Sequence, residues 1–96
     1  MASAMITSPL RAPRFPLRMP LQYQKSGVSH WYEGKTLNIS RTGILFHTDG
    51  SVPKNATLDI RVEFPGKVTF SCQGSVVRTE DSAFAVRIHR YNLRRV

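Results

Sequence analysis

Apolar residues in this chain recur at every second position in short runs, and no stretch sustains the three-to-four spacing of a helix. That pattern restricts the chain to β-structure. Leu17, Met19, Leu21 and Tyr23 alternate with Arg18, Pro20, Gln22 and Gln24, although Pro20 argues for an edge position. A turn around Gly27 separates this run from a second, Trp31 to Ile39. Ile44, Leu45 and Phe46 form a short buried run between Gly43 and the polar loop Asp49 to Asn55. Leu58, Ile60 and Val62, then Val68, Phe70 and Cys72, alternate on either side of Pro65-Gly66 and predict a hairpin. The fifth run continues to Arg78 past Gly74, a candidate bulge site. A turn at Glu80-Asp81 leads to a sixth run, Phe84, Val86 and Ile88.

Six short strands with turns between them and no crossover helix predict an antiparallel barrel or sandwich. The barrel is preferred because closure removes the edges of so small a sheet. The 96 residues suffice for one core and not for two. Residues 1–16, with Pro9, Pro13 and Pro16, read as a flexible arm, residues 17–90 as the barrel, and residues 91–96 as a short basic tail or a single helical turn.

Charge is distributed unevenly. Fourteen Lys and Arg stand against six Asp and Glu, a net +8. The excess sits at the two ends: Arg11, Arg14, Arg18 and Lys25 precede the first acid, and Arg87, Arg90, Arg94 and Arg95 follow the last. An anionic partner at the ends is the expectation; the plainer reading is surface arginine that keeps the domain soluble. No run approaches the roughly 20 apolar residues of a membrane helix, the start has no signal-peptide core, and Cys72 has no second cysteine to pair with. These point to a cytoplasmic protein without a membrane partner, with Cys72 as a small core residue.

Catalytic and metal chemistry find little support. His30, His47 and His89 fall in separate segments, with no nearby Asp or Ser to compose a triad and no metal-ligand spacing, and are expected on strands or surface. Glu80 and Asp81 are explained by a turn, and Trp31 and Tyr32 by a strand's core or surface. No phosphate loop of kinase type is present. An enzyme is not expected, nor a metal or cofactor.

The most specific feature is Asn38-Ile39-Ser40-Arg41-Thr42-Gly43, lying between the second and third runs. Asn38 offers a donor and an acceptor for a base edge, Ser40 a hydroxyl for base or phosphate, and Gly43 a backbone turn that a Cβ would forbid. Asn, Ser and Gly are also simply what turns use. The hexapeptide resembles the Asn/Asp-x-Ser-x-x-Gly signature of the PilZ family. Arg14-Phe15-Pro16-Leu17, Gly34-Lys35-Thr36-Leu37, Ile44-Leu45-Phe46 and Phe84-Ala85-Val86-Arg87-Ile88 resemble PilZ segments in the same order. The resemblance implies a PilZ-type split barrel and a receptor for the bacterial second messenger cyclic di-GMP. It further implies that an Arg-bearing arm orders over the barrel face holding Asn38 and Ser40, which would present a new surface to a protein partner.

The family's second motif, Arg-x-x-x-Arg, ends immediately before the apolar pair that opens the first strand. That register assigns the final arginine to Arg14 and puts Leu10 where the first belongs, with Arg11 beside it. A bare spacing match would instead use Arg14 and Arg18, with Arg18 inside the first strand. The ligand residues implied are therefore Arg11, Arg14, Arg18, Asn38, Ser40 and Gly43. A guanidinium forks onto phosphate or onto the O6/N7 edge of guanine, where lysine cannot. Leu10 keeps open a PilZ-like interaction module that has lost the ligand. The basic ends keep open a small barrel that binds single-stranded nucleic acid, although that leaves the Asn38 motif unexplained.

Overall fold

The alternation becomes an inside and an outside. A computed structural model describes residues 18–95, and over them run β1 (Pro20–Lys25), β2 (Tyr32–Ile39), β3 (Gly43–His47), β4 (Thr57–Phe64), β5 (Val68–Glu80) and β6 (Ala83–Arg95). All neighbours are antiparallel and the sheet closes as β1-β2-β3-β6-β5-β4, with β4 returning to β1. The expected six-stranded barrel is therefore observed. Its interior holds Leu21 and Tyr23 from β1, Ile44 and Phe46 from β3, Leu58, Ile60 and Val62 from β4, and Phe70, Cys72 and Val76 from β5. Phe84 and Val86 join it from β6, Ile39 from β2 and Val52 from the β3–β4 loop. Each such aliphatic or aromatic side chain contributes roughly 1.5–3 kcal/mol on burial, which is how a sheet this small holds together.

Two polar arrangements and three tight turns secure the fold. The buried Tyr23 hydroxyl lies 3.1 Å from Thr48 Oγ1, which donates to the Glu33 carbonyl at 2.9 Å and accepts from the Gly50 N–H at 3.2 Å. Thr36, wholly buried on β2, accepts the Met19 N–H on its hydroxyl at 2.7 Å, and its own N–H donates to the Met19 carbonyl at 2.8 Å. Gly27 and Gly66 turn with φ of 87° and 84°, and Asp81 turns the β5–β6 hairpin at φ 50°.

The structure differs from the sequence reading at both ends of the barrel. The first strand begins at Pro20, not Leu17, so Arg18 precedes β1 and does not lie within it. Pro20 marks no edge: it pairs with Lys35 of β2, and the β1–β4 ladder starts one residue later at Leu21, so the missing N–H is not needed. At the other end, residues read as a basic tail or helical turn continue β6 to Arg95, because Val68–Gln73 of β5 supply a partner from Arg95 back to Arg90. Residues 1–16, with Leu10, Arg11 and Arg14, lie outside the described residues.

Register breaks in three places: between Thr36 and Asn38 of β2, between Gln73 and Gly74 of β5, and between Val76 and Arg78 of β5. The second falls at the glycine expected to carry a bulge. A Cβ on Gly74 would sit 2.4 Å from the Arg87 carbonyl oxygen and 2.6 Å from Val86 Cγ1, so β5 and β6 approach there as only glycine allows.

Candidate ligand cleft

Asn38 to Gly43 connects β2 to β3, and the structure explains the spacing. The Ser40 N–H donates to the Gly43 carbonyl at 2.9 Å, and the Ser40 hydroxyl oxygen accepts the N–H groups of Thr42 and Gly43, each at 3.2 Å. Ser40 thus holds the loop in shape. Gly43 has a different role from the one its turn position suggests: its φ is not positive, and its value is close approach, since a Cβ would lie 3.0 Å from the Val86 carbonyl oxygen on β6. Asn38 is half-buried at the register break, and its side-chain amide makes no hydrogen bond among the described residues.

Outward positions line up across four strands. Asn38 of β2 pairs with Leu45 of β3, Leu45 with Ala85 of β6, and Ala85 with Arg78 of β5. Beside that row Gly43 pairs with Arg87. These residues, with Ser40, Thr42 and Val77, line an open cleft of about 220 Å³ on the outer wall of the barrel. One wall is a turn with hydrogen-bonding groups, the floor is the apolar Leu45 and Ala85, and the far wall carries two exposed guanidinium groups. Among the described residues Arg78 has only a long contact to Glu80, 3.9 Å between exposed groups, which in water is worth little; its charge stays available to an anion.

The cleft therefore unites Asn38, Ser40 and Gly43, as the sequence grouped them. Arg18 is exposed two residues before β1, next in chain to Met19, whose main chain is bonded to Thr36 on β2. The sequence reading counted Arg87 among the basic residues expected to meet an anion without placing it here, and missed Arg78, Val77, Leu45 and Ala85. The run Phe84 to Ile88 alone pointed to β6, by marking Ala85 and Arg87 as its outward residues.

Other candidates sort out by geometry. His47 does have neighbours that sequence distance hid: Ser82 Oγ lies 3.0 Å from Nδ1 and Asp49 Oδ1 3.6 Å from Nε2. The β3–β6 pairing brings His47 opposite Ala83 and so beside Ser82. Asp49 is fully exposed, so nothing fixes it as the orienting acid of a triad. His89 contacts Ser75 Oγ at 2.7 Å on the surface. Trp31 lies on the barrel surface with the Arg61 guanidinium 4.6 Å from its ring centre, and Tyr32 stacks on Tyr23 at 5.5 Å. Cys72 is buried, and desolvation, with the Asp59 charge second, pushes its thiol up to about 12.

A family profile described as PilZ domain matches residues 10–95. Among solved structures, the PilZ domain of CeSA from a cellulose synthesizing bacterium superposes with a TM-score of 0.68 at 16% identity, over 84% of each chain. The Bacillus subtilis inhibitor of motility, MotI/DgrA, superposes with a TM-score of 0.71 at 17% identity, over 85% of this chain and 43% of that one. At such identities the likeness is one of fold. No curated protein sequence matches the chain significantly.

Proposed function

The chain belongs to the PilZ family, and from that premise we propose that it is a receptor or adaptor that binds cyclic di-GMP in the cleft over β2, β3, β6 and β5. PilZ domains are binding and adaptor domains, and no step here calls for catalysis, a metal or a cofactor. The observation that carries the reading is the Asn38 amide, which has no partner among the described residues, beside the Ser40 turn and facing Arg78 and Arg87 across an apolar floor. A guanine base has a flat face for Leu45 and Ala85 and an edge for Asn38, and each phosphate suits a guanidinium.

At about 220 Å³ the cleft is smaller than the roughly 300–1,000 Å³ that encloses a drug-sized ligand, so it holds part of a cyclic dinucleotide. The remainder is assigned to the arginines before β1: Arg14 at the end of the family's second motif, Arg11 beside Leu10, and Arg18 on the approach to β1. Closing them over the ligand brings a new surface into being, to which a protein partner in the cytoplasm responds.

The test is calorimetric titration of the full chain with cyclic di-GMP, with a single-stranded oligonucleotide as competitor at matched salt. Saturable binding that the oligonucleotide does not displace supports the reading. Binding of the oligonucleotide with a steep salt dependence and no base preference would replace it with the nucleic-acid barrel. Leu10 at a motif arginine position favours a second reading, an interaction module that no longer binds the ligand; absence of any heat with cyclic di-GMP would select it.

A further inference from the structure

β6 is longer than its neighbour on one side. β3 pairs with it from Ala83 to Arg87, and the Ile88 N–H donates to the Thr42 carbonyl at 2.9 Å. From Arg90 to Arg95 the strand is paired with β5 alone; among the described residues nothing bonds its other edge. All six of these residues are exposed. Their side chains alternate: Arg90, Asn92 and Arg94 lie opposite Gln73, Ser71 and Thr69 on the outer face, whereas Tyr91 and Leu93 lie opposite the core residues Cys72 and Phe70, and Arg95, opposite Val68, ends that inner face.

A strand edge is usually guarded by charge, and the three arginines supply that plainer explanation. It does not account for the apolar pair on the inner face, Tyr91 and Leu93. Tyr91 is 50% exposed and Leu93 61%, and Tyr91 stacks on Phe70 at 5.6 Å, an apolar strip continuous with the barrel core. Among the described residues Arg90, Arg94 and Arg95 have no ion pair.

We propose that the Arg90–Arg95 edge is a docking strand for an extended segment of a partner protein whose residues alternate acidic and apolar. Main-chain bonds to the open edge supply affinity, carboxylates opposite Arg90 and Arg94 fix register, and apolar residues cover Tyr91 and Leu93. Charge selects this occupant over the alternatives. Two copies of the edge, paired antiparallel about Asn92, set Arg90 of one against Arg94 of the other, and no acid follows Asp81 to relieve any other register. Residues 1–17 carry Arg11 and Arg14 and no acid, so they are equally mismatched.

The probe is the capped hexapeptide Glu-Val-Glu-Val-Glu-Val, titrated into the full chain while amide shifts and amide exchange are followed by NMR. In the free protein the alternate amides of Arg90–Arg95 that point away from β5 should exchange fast, and peptide should slow them. N-methylation of alternate peptide residues, which keeps charge and side chains but removes the pairing donors, should weaken binding at least tenfold. R90E/R94E should lose the peptide with its remaining spectrum intact. Slow exchange of those amides before peptide is added would mean that residues 1–17 or a second copy already cover the edge, and would overturn the proposal. So would equal binding of the N-methylated or the block-ordered Glu-Glu-Glu-Val-Val-Val peptide, or shifts confined to other strands. None of these readouts depends on cyclic di-GMP.

Discussion

Replacing Gly74 with alanine tests the most crowded glycine in the barrel. The added methyl would stand 2.4 Å from the Arg87 carbonyl oxygen and 2.6 Å from Val86 Cγ1. Ordinary contact between heavy atoms starts at roughly 3.5 Å, so about an ångström of movement is needed. β5 has little freedom to supply it, because Gly74 is also paired with Leu58 of β4; the movement falls on Val86 and Arg87 of β6. Overpacking of this kind costs about 1–3 kcal/mol. For a domain this small each kcal/mol lowers Tm by about 4–8 °C, so the fall should be roughly 4–24 °C. Thermal unfolding followed by far-ultraviolet circular dichroism reads it directly. Val86 and Arg87 also line the cleft, so ligand affinity should drop with stability. Gly66→Ala, by contrast, is strained by a φ of 84° but meets no atom within 4 Å, and should lower Tm without touching ligand affinity. A Gly74→Ala protein whose Tm falls by less than about 2 °C would refute the claim that the β5–β6 spacing there requires glycine.

The arginine register is checked by affinity: Arg14→Ala should weaken cyclic di-GMP binding more than Arg18→Ala, and equal losses would make the plain Arg14 to Arg18 spacing the functional one. Leu10→Arg should tighten binding by about tenfold to a hundredfold, the worth of one forked contact, with a steeper salt dependence; an unchanged, already tight affinity would show that Arg11 fills the role. Cys72 should resist thiol-directed alkylation at pH 8 in the native protein and react once it is unfolded. Since its folded pKa is raised, to about 12 from 9.0, the folded state holds the proton longer; the stability it contributes is full below pH 9.0 and is lost as pH rises towards 12, which denaturant titrations across that range would detect.

Most of the fold was legible because one face of nearly every strand is buried and the other is wet, and period two then reports burial directly. Where that condition lapses, so did the reading. Tyr91 and Leu93 keep the alternation of β6, but they are exposed and stand among Arg90, Asn92, Arg94 and Arg95, so charge density masked a strand that exists because β5 supplies a partner for it. Pro20 misled for the complementary reason. A proline suggests an edge, yet at the first residue of a strand its missing N–H is never called upon, even in a closed barrel.

Half of the cleft was legible for a local reason and half was not for a topological one. Asn38 to Gly43 is a short turn that the bonds of Ser40 to Thr42 and Gly43 hold in shape, so the Asn-x-Ser-x-x-Gly spacing is readable locally, even though Gly43 is also required by its approach to Val86 on β6. The opposite wall is reached only through the β3–β6 and β5–β6 ladders, which join residues more than 35 positions apart in the first case and depend on a register shift in the second. That shift decides the chemistry. Strict alternation from the buried Val76 turns Val77 outward and Arg78 inward, an impossible place for an unpaired guanidinium. Instead Val76 pairs with Val86 and Arg78 with Ala85, leaving Val77 as the extra residue, and both Val77 and Arg78 emerge on the outer wall. The bulge thus serves the fold by sparing the core a charge and the cleft by aiming that charge across Ala85 towards Asn38. Deleting Val77 would remove the bulge yet leave Arg78 next to Val76 and still opposite Ala85, so that variant should keep its arginine on the far wall and its ligand affinity, whereas Arg78→Ala should weaken binding; an Arg78→Ala protein with the parent's affinity by calorimetric titration would show that Arg78 takes no part.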